Sequence, residues 1–253
     1  MSLDLGLEGR TAVVSGSTRG VGFAVAEALA RAGASVAINY INNDQKAQTA
    51  LDRLISLGGG AIAVKADART EVGALMLVSE ATTAFGKIDI LVNNAHGNIT
   101  RSPFEASSWD EHQSHIDGIL KSAFFLARAV MPVMKEHGSG RIVNIGNNMV
   151  MQPIRGYSAL TSSMAALIGF TRNLAAEAGP YGITVNMVSP GFVMTEDTPN
   201  TTEAVRTAIA EATPLKKLAT PEDIAGAVLF FCSDLSRFVT GANLSVDGGK
   251  VMA

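Results

Sequence analysis

Three glycines near the start of the chain have the spacing of a turn that could bind phosphate. Gly16, Gly20 and Gly22 follow an apolar run and open an Ala-rich amphipathic stretch. Glycines at a strand-to-helix turn let the backbone approach a phosphate, while the free N–H groups of the helix N-terminus face the anion. A purely structural turn is the plainer alternative, but this context predicts a dinucleotide site. The loop comprises Gly16, Ser17, Thr18, Arg19, Gly20, Val21 and Gly22.

Tyr157, Asn147 and His96 could take part in proton transfer or hydrogen bonding at a reacting oxygen. Tyr157 lies three residues before Leu160 and seven before Met164, so the three share one helical face if the helix begins early enough. Histidine titrates near neutral pH and could donate a proton, and an amide could donate to a carbonyl. Each residue also has a plainer interpretation: Tyr157 lines a pocket, His96 makes a structural hydrogen bond, and Asn147 is a satisfied loop amide.

A group of acidic residues and histidines in the middle of the chain predicts no metal site. Asp110, Glu111, His112, His115 and Asp117 are close in sequence, yet no compact ligand spacing connects them. We interpret them as the solvated surface of a helix or loop.

The elements that must position these residues alternate along the chain. Short β-branched runs predict strands at 11–15, 35–40, 61–65, 88–92, 141–145, 184–188 and 243–246. Longer stretches predict helices at 19–31, 44–57, 71–85, 120–136, 158–178 and 221–232, with a kink or break at Pro132. This alternation predicts one α/β domain over 1–253, a Rossmann-type doubly wound parallel sheet of about seven strands with helices on both faces. Loops 94–109 and 189–203 are the candidate pocket walls.

Composition excludes several classes of protein. Hydrophobic residues make up 47% of the chain and charged residues 17%, which excludes a disordered chain. The net charge of −3 does not favour nucleic-acid binding. The single cysteine, Cys232, excludes an internal disulfide and suits a reducing compartment. Neither a signal peptide nor a membrane span is predicted, so we expect a cytoplasmic protein without nucleic-acid or membrane partners.

Four motifs, in order, resemble those of the short-chain dehydrogenase/reductase family. They are Gly16-x-x-x-Gly20-x-Gly22, Asn93-Asn94-Ala95-His96, Pro190-Gly191-Phe192-Val193-Met194-Thr195, and the closing Thr240-Gly241 with Val246-Asp247-Gly248-Gly249. The resemblance covers residues 10–249. Within the family, the chain most resembles the 3-oxoacyl-carrier-protein-reductase-like group.

The resemblance implies how a nicotinamide dinucleotide would lie. The glycine loop would pass the pyrophosphate, and Asp67 with Ala68 would contact the adenine. Asn93 and Ala95 would flank the adenosine-side ribose. The segment after the sixth strand would hold the carboxamide through Pro190, Gly191, Val193 and Thr195.

The end of the second strand favours NADP(H) over NAD(H). NAD users usually carry an acid there that accepts from a ribose hydroxyl. Tyr40 occupies the corresponding position, and the next acid is Asp44. Arg19 could meet a 2′-phosphate, since a guanidinium matches phosphate geometry; a solvated helix-start residue is the alternative.

The catalytic positions depart from the pattern that the resemblance implies. Where the family has Asn, Ser, Tyr and Lys, this chain has Ile119, Asn147, Leu160 and Met164. Leucine cannot donate a proton, and methionine carries no charge. Enoyl reductases of the same superfamily place a tyrosine seven residues before their lysine, which is the spacing of Tyr157 and Met164.

Two functional hypotheses follow. The first is an atypical NADP(H)-binding oxidoreductase that acts on a small apolar carbonyl, hydroxyl or enoyl substrate through a non-standard acid. The second is a catalytically silent subunit that binds nucleotide and pairs with an active paralogue. The resemblance also implies a homotetramer or homodimer, through the helices at 120–136 and 158–178 and the last strand.

Overall fold

Seven parallel strands form one sheet in the computed structural model, which describes residues 5–196, 198 and 201–252. The strand order is β3-β2-β1-β4-β5-β6-β7. The strands are β1 (Thr11–Val14), β2 (Ser35–Tyr40), β3 (Ala61–Lys65), β4 (Ile90–Asn93), β5 (Gly140–Ile145), β6 (Ile183–Pro190) and β7 (Asn243–Val246). Every neighbouring pair is parallel, so all carboxyl ends meet at one edge.

Helices connect these strands and cover the sheet on both faces. They are α1 (Gly20–Arg31), α2 (Asp44–Ile55), α3 (Glu71–Phe85), α4 (Trp109–Ile116), α5 (Ser122–His137), α6 (Ser158–Ala178), α7 (Glu203–Glu211) and α8 (Pro221–Cys232). Apolar side chains of α1 and α8 pack on one face, and those of α3 and α5 on the other. Burial from both sides explains why the central strands are continuous apolar runs. The predicted doubly wound α/β fold is confirmed.

The strand order reverses between β1 and β4. The chain moves outward from β1 through β2 to β3, then returns to place β4 on the other side of β1. The loops that follow β1 and β4 therefore diverge at the carboxyl edge and leave a crevice, which is where ligands bind in such sheets.

The helices between β4 and β5, and after β6, differ from their predictions. The helix expected to begin at Leu120 starts at Trp109, since α4 continues through a π-helical segment, Asp117–Lys121, into α5. The structure also contains α7, which the prediction omitted. The helix continues through Pro132, which is exposed, so water can hydrate the carbonyl that lacks an N–H partner.

Candidate functional site

The glycine loop after β1 is tightly built. Gly16 and Gly20 have positive φ angles of 59° and 56°, a region that glycine adopts without steric cost. A Cβ on Gly22 would lie 2.6 Å from the carbonyl oxygen of Gly16, so a larger residue would force the turn apart. The N-cap side chain gives no hydrogen bond to the first turn of α1, whereas Asn43 and Thr70 cap α2 and α3.

Hydrogen bonds join this loop to the segment after β4. The Ser15 hydroxyl accepts from the backbone N–H groups of Asn94 and Ala95, both at 3.0 Å. The Asn94 amide donates to the carbonyls of Ser15 at 3.1 Å and Gly16 at 2.9 Å. Sequence reasoning assigned no role to Ser15 or to the Asn94 side chain; their position directly after buried strands was the available signal.

Asn93 is 5% exposed and points into the protein interior. Its amide nitrogen donates to the Asn144 oxygen at 2.8 Å, and the Asn144 amide donates to the Thr171 hydroxyl at 2.8 Å. This chain of bonds ties β4 and β5 to α6 beneath the crevice. The Asn93 oxygen Oδ1 is buried without a hydrogen-bond partner among the described residues.

Two acids at the far side of the crevice are already paired. Both oxygens of Asp67 accept from the Arg69 guanidinium at 2.8 Å. The Arg69 side chain is the main cause that lowers the pKa of Asp67. Asp44 accepts from the Tyr40 hydroxyl, and its two oxygens lie 3.0 Å from the Lys65 ammonium. Asp67, which was predicted to contact the adenine, is therefore already paired, and so is Asp44, the next acid after Tyr40.

The segment after β6 folds back over the glycine loop. Val193 forms a bridge with Ala219, and the Met194 N–H donates to the Ala219 carbonyl at 3.0 Å. A Cβ on Gly20 would lie 3.7 Å from the Thr195 methyl group. The segment predicted to hold the carboxamide therefore reaches the start of α1.

A cavity of about 1090 Å³ opens beside this segment. Asn147, Tyr157 and Leu160 line it together, as do Gly191 and Val193. The structure thus brings the predicted donors Tyr157 and Asn147 to the same space as the predicted carboxamide-binding segment.

His96 is not among the described residues that line this cavity. The side chain is exposed, and its Nδ1 is 2.9 Å from the Gly97 carbonyl oxygen. This contact agrees with the plainer of the two interpretations given above, a structural hydrogen bond in a loop.

The Asn147 amide presents one group to the cavity. Its oxygen accepts from the Met149 backbone N–H at 3.0 Å and so caps a short 3-10 turn, Asn148–Val150. The remaining NH₂ group of Asn147 can donate to a carbonyl or carboxylate oxygen.

The positions where the resemblance implies Asn, Tyr and Lys share one apolar cluster. Ile119, Leu160 and Met164 are 5%, 1% and 6% exposed and pack with Leu167 and Met187. None of these three side chains can donate or accept a proton.

The two histidines of α4 differ in burial. His112 lies 3.4 Å, through Nε2, from the Ser158 hydroxyl. His115 is 4% exposed, and its Nδ1 is 2.9 Å from the Glu111 carbonyl oxygen. Its Nε2 is buried and has no hydrogen-bond partner in the part of the chain that the structure describes. The prediction that His115 lies on a solvated surface is wrong, since its side chain is buried in a helix that packs against α6. Within the described ranges, no group of three His, Cys, Asp or Glu side chains could hold a metal ion.

Comparisons with known proteins agree with this geometry. The family model described as enoyl-(acyl carrier protein) reductase matches residues 16–250. A 3-oxoacyl-[acyl-carrier-protein] reductase from Synechocystis sp. is 36% identical over 97% of this chain and 98% of its own length. Nodulation protein G from Azospirillum brasilense is 35% identical over 95% of this chain and 97% of its own length.

Solved structures show the same fold over nearly the whole chain. A short-chain dehydrogenase/reductase from Serratia marcescens superposes with a TM-score of 0.90 at 33% identity, covering 96% of this chain and 98% of its own. A 7α-hydroxysteroid dehydrogenase, complexed with NADH and 7-oxo glycochenodeoxycholic acid, superposes with a TM-score of 0.94 at 33% identity, and the match covers 100% of this chain and 99% of its own.

Within the described ranges, we find no helix with the length and hydropathy that a membrane span requires.

The family match covers residues 16–250 and therefore includes all four motifs, in order, on the sheet described above. These matches show that the chain belongs to the short-chain dehydrogenase/reductase family of oxidoreductases and that, within the family, it is similar to 3-oxoacyl-[acyl-carrier-protein] reductases.

Proposed function

We propose that this chain is an NADP(H)-binding oxidoreductase that uses Tyr157 as its proton donor. Its substrate is a small apolar carbonyl, hydroxyl or enoyl compound. One observation carries the proposal: Tyr157 and Asn147 line the cavity that also touches Gly191 and Val193. Leu160 lines that cavity too, but it has no proton to donate.

The crevice suits a nicotinamide dinucleotide. The first turn of α1 lacks a side-chain cap, so its N–H groups can bind a pyrophosphate. Gly16 and Gly20 keep side chains out of that approach. Thr195, beside the start of α1, and Val193, beside the cavity, would hold the carboxamide. Bound there, the cofactor would supply or accept the hydride.

The residues of this chain supply the acid–base chemistry. The Asn147 NH₂ group donates to the substrate oxygen and stabilises the negative charge that develops on it. The Tyr157 hydroxyl delivers the proton as the hydride arrives, or removes it in the reverse direction. The cavity wall beside them includes the apolar side chains of Met149 and Leu160.

The preference for NADP(H) rests on the hydrogen bonds that Asp44 already makes within the protein. A carboxylate already bonded to Tyr40 and Lys65 is poorly placed to accept from a ribose hydroxyl. Arg19, in the glycine loop, carries the positive charge that a 2′-phosphate needs.

The alternative of a silent subunit paired with an active paralogue is not favoured. The matched proteins include ones named as reductases, dehydrogenases and oxidoreductases. For self-association we propose the faces of α5 and α6, where Phe124 is 43% exposed beside Phe170, together with the exposed Leu244 of β7. These would form a homodimer or homotetramer.

Replacing Tyr157 by Phe tests the proposed acid. We expect turnover of NADPH with responsive members of a panel of small ketones, aldehydes and 2-enoyl esters to fall about 10²–10⁴-fold. Tyr181→Phe is the matched control, because the Tyr181 ring is exposed, makes a cation–π contact with the Lys135 ammonium and does not line the cavity. Equal turnover of Tyr157→Phe and the parent would reject Tyr157 as the acid.

A further inference from the structure

Two loops are joined at one rim of the cavity, the loop after β4 and the loop before α6. The Ser102 N–H donates to the Gly156 carbonyl at 3.0 Å. Gly156 has a φ of +90°, and a Cβ there would lie 2.9 Å from Arg101 Cγ. The missing side chain of Gly156 therefore makes room for the Arg101 stem. The Ser102 hydroxyl also donates to Glu111 at 2.9 Å, which anchors the loop to α4.

Each of these two joined loops carries an arginine, Arg101 in the loop after β4 and Arg155 in the loop before α6. The Arg101 guanidinium lies 5.5 Å from the centre of the Tyr157 ring, which lines the cavity. No carboxylate within the described ranges forms an ion pair with Arg101. Arg155 lines the cavity; its nearest acid, Glu105, is 3.8 Å away, and the two side chains are 84% and 74% exposed. Such an exposed pair is weak and screened by salt.

The carboxylates that line the cavity are bonded elsewhere. Asp247 is 8% exposed and accepts from the Asn148 amide at 2.9 Å and from three backbone N–H groups. Asp223 caps α8 through Thr220, and Lys217 lies 3.7 Å from it. The charge presented beside Tyr157 is therefore positive.

The rest of the cavity wall is largely apolar. It includes Ile99, Met149, Ile154, Phe192, Leu215 and Leu218. An apolar body would fill this space, while a guanidinium fork matches the oxygens of a carboxylate or phosphate. We propose that the substrate is an apolar molecule ending in an oxyanion, and that Arg101 and Arg155 bind that oxyanion. This inference rests on the proposed function, because it concerns the same cavity.

Calorimetric titration of the full chain with NADPH present tests the inference without turnover. The probes are octanoate, octyl phosphate and the neutral octanamide. We expect an oxyanion probe to bind about tenfold or more tightly than octanamide. Arg101→Gln should remove most of this preference and leave octanamide binding unchanged, and Arg101→Lys should restore part of it. Arg128→Gln is the control, since Arg128 pairs with Glu71 on another face.

The comparison of octanoate with octyl phosphate shows whether the site prefers a carboxylate or a phosphate. Arg155→Gln provides a second variant whose exposed side chain should not affect folding. Equal binding of octanoate, octyl phosphate and octanamide, or no binding of either oxyanion probe, would overturn the inference. An equal loss of all probes in Arg101→Gln would do the same, because it indicates a structural role. The Tyr157→Phe test is independent, because it measures turnover and not binding. Tyr157→Phe could leave turnover unchanged, which would reject the proposed acid, while the preference for an oxyanion probe persists.

Discussion

At the scale of the residue, Asp44 is the acid whose bonds bear most directly on the cofactor. The Lys65 side chain, and after it the Tyr40 hydroxyl, hold the pKa of Asp44 below its ordinary value. A carboxylate that must read a ribose hydroxyl needs a free oxygen at the end of the second strand. Here both oxygens lie 3.0 Å from the Lys65 ammonium. This is the residue-level support for an enzyme that prefers NADP(H).

Thermal unfolding with each cofactor checks that preference. We expect saturating NADPH to raise the unfolding midpoint by about 5–10 °C and NADH to raise it less. Arg19→Gln should abolish the difference, because the 2′-phosphate loses its cation. Arg172→Gln, an exposed substitution on α6, should behave like the parent. A larger shift with NADH would contradict the assignment.

At the scale of the element, the π-helical segment and α6 meet through apolar side chains. Ile119 comes from the π-helical segment, and Leu160 and Met164 from α6. A single polar side chain placed among them would lack a partner, and a buried unpaired polar group is costly. The three positions therefore form one packed unit, which favours proton transfer by a residue outside it.

Met164→Lys should destabilise the protein by about 3 kcal/mol or more in urea unfolding at neutral pH. Burial lowers the pKa of an introduced lysine, so the unfolded state binds more protons and the deficit should shrink as the pH rises from about 7 to 10. Met76→Lys is the matched control, because Met76 is 46% exposed on α3 and the change should cost little. Equal stability of Met164→Lys and the parent would show that this cluster accommodates an ammonium group.

At the scale of the whole molecule, ionisation limits stability at both ends of the pH range. The Arg69 side chain lowers the pKa of Asp67, and the Lys46 side chain lowers that of Glu196. Their stabilisation is present above the unfolded pKa values of 3.8 and 4.5 and is lost as the pH falls through the lower folded values. Burial raises the pKa of the Cys232 thiol from 9.0 to about 12. Its contribution is complete below pH 9 and is lost as the pH rises toward 12.

The free energy of unfolding should therefore be nearly constant between about pH 5 and 8, and fall below about 4 and above about 9. Urea unfolding across that range measures it. Cys232→Ala should reduce the alkaline fall, since the unfolded state of the variant has no thiol to ionise at that position. An alkaline limb identical to that of the parent would contradict the assignment to Cys232.

Local sequence determined the order of the seven strands and of six helices, and most of their bounds. The predicted β2, β3 and β7, as well as α3, α6 and α8, agree with the structure residue for residue. Their signals are local: β-branched runs, helical periodicity, and caps such as Thr220 with Asp223. The glycine triplet likewise predicted its own strand-to-helix turn, because the positive φ angles of Gly16 and Gly20 are ones that glycine itself permits.

Tertiary structure alone decided which distant residues meet. The sheet register and the packing of α6 place Arg101 on Tyr157, bring Ser15 to Asn94, and gather Ile119 with Met164. It also buries His115, whose polar neighbours in sequence indicated exposure. The physical reason is that hydrogen bonding, burial and cation–ring contact depend on distances of a few ångströms between segments far apart in the chain. Local patterns do not encode those distances until the strands pair and the helices pack.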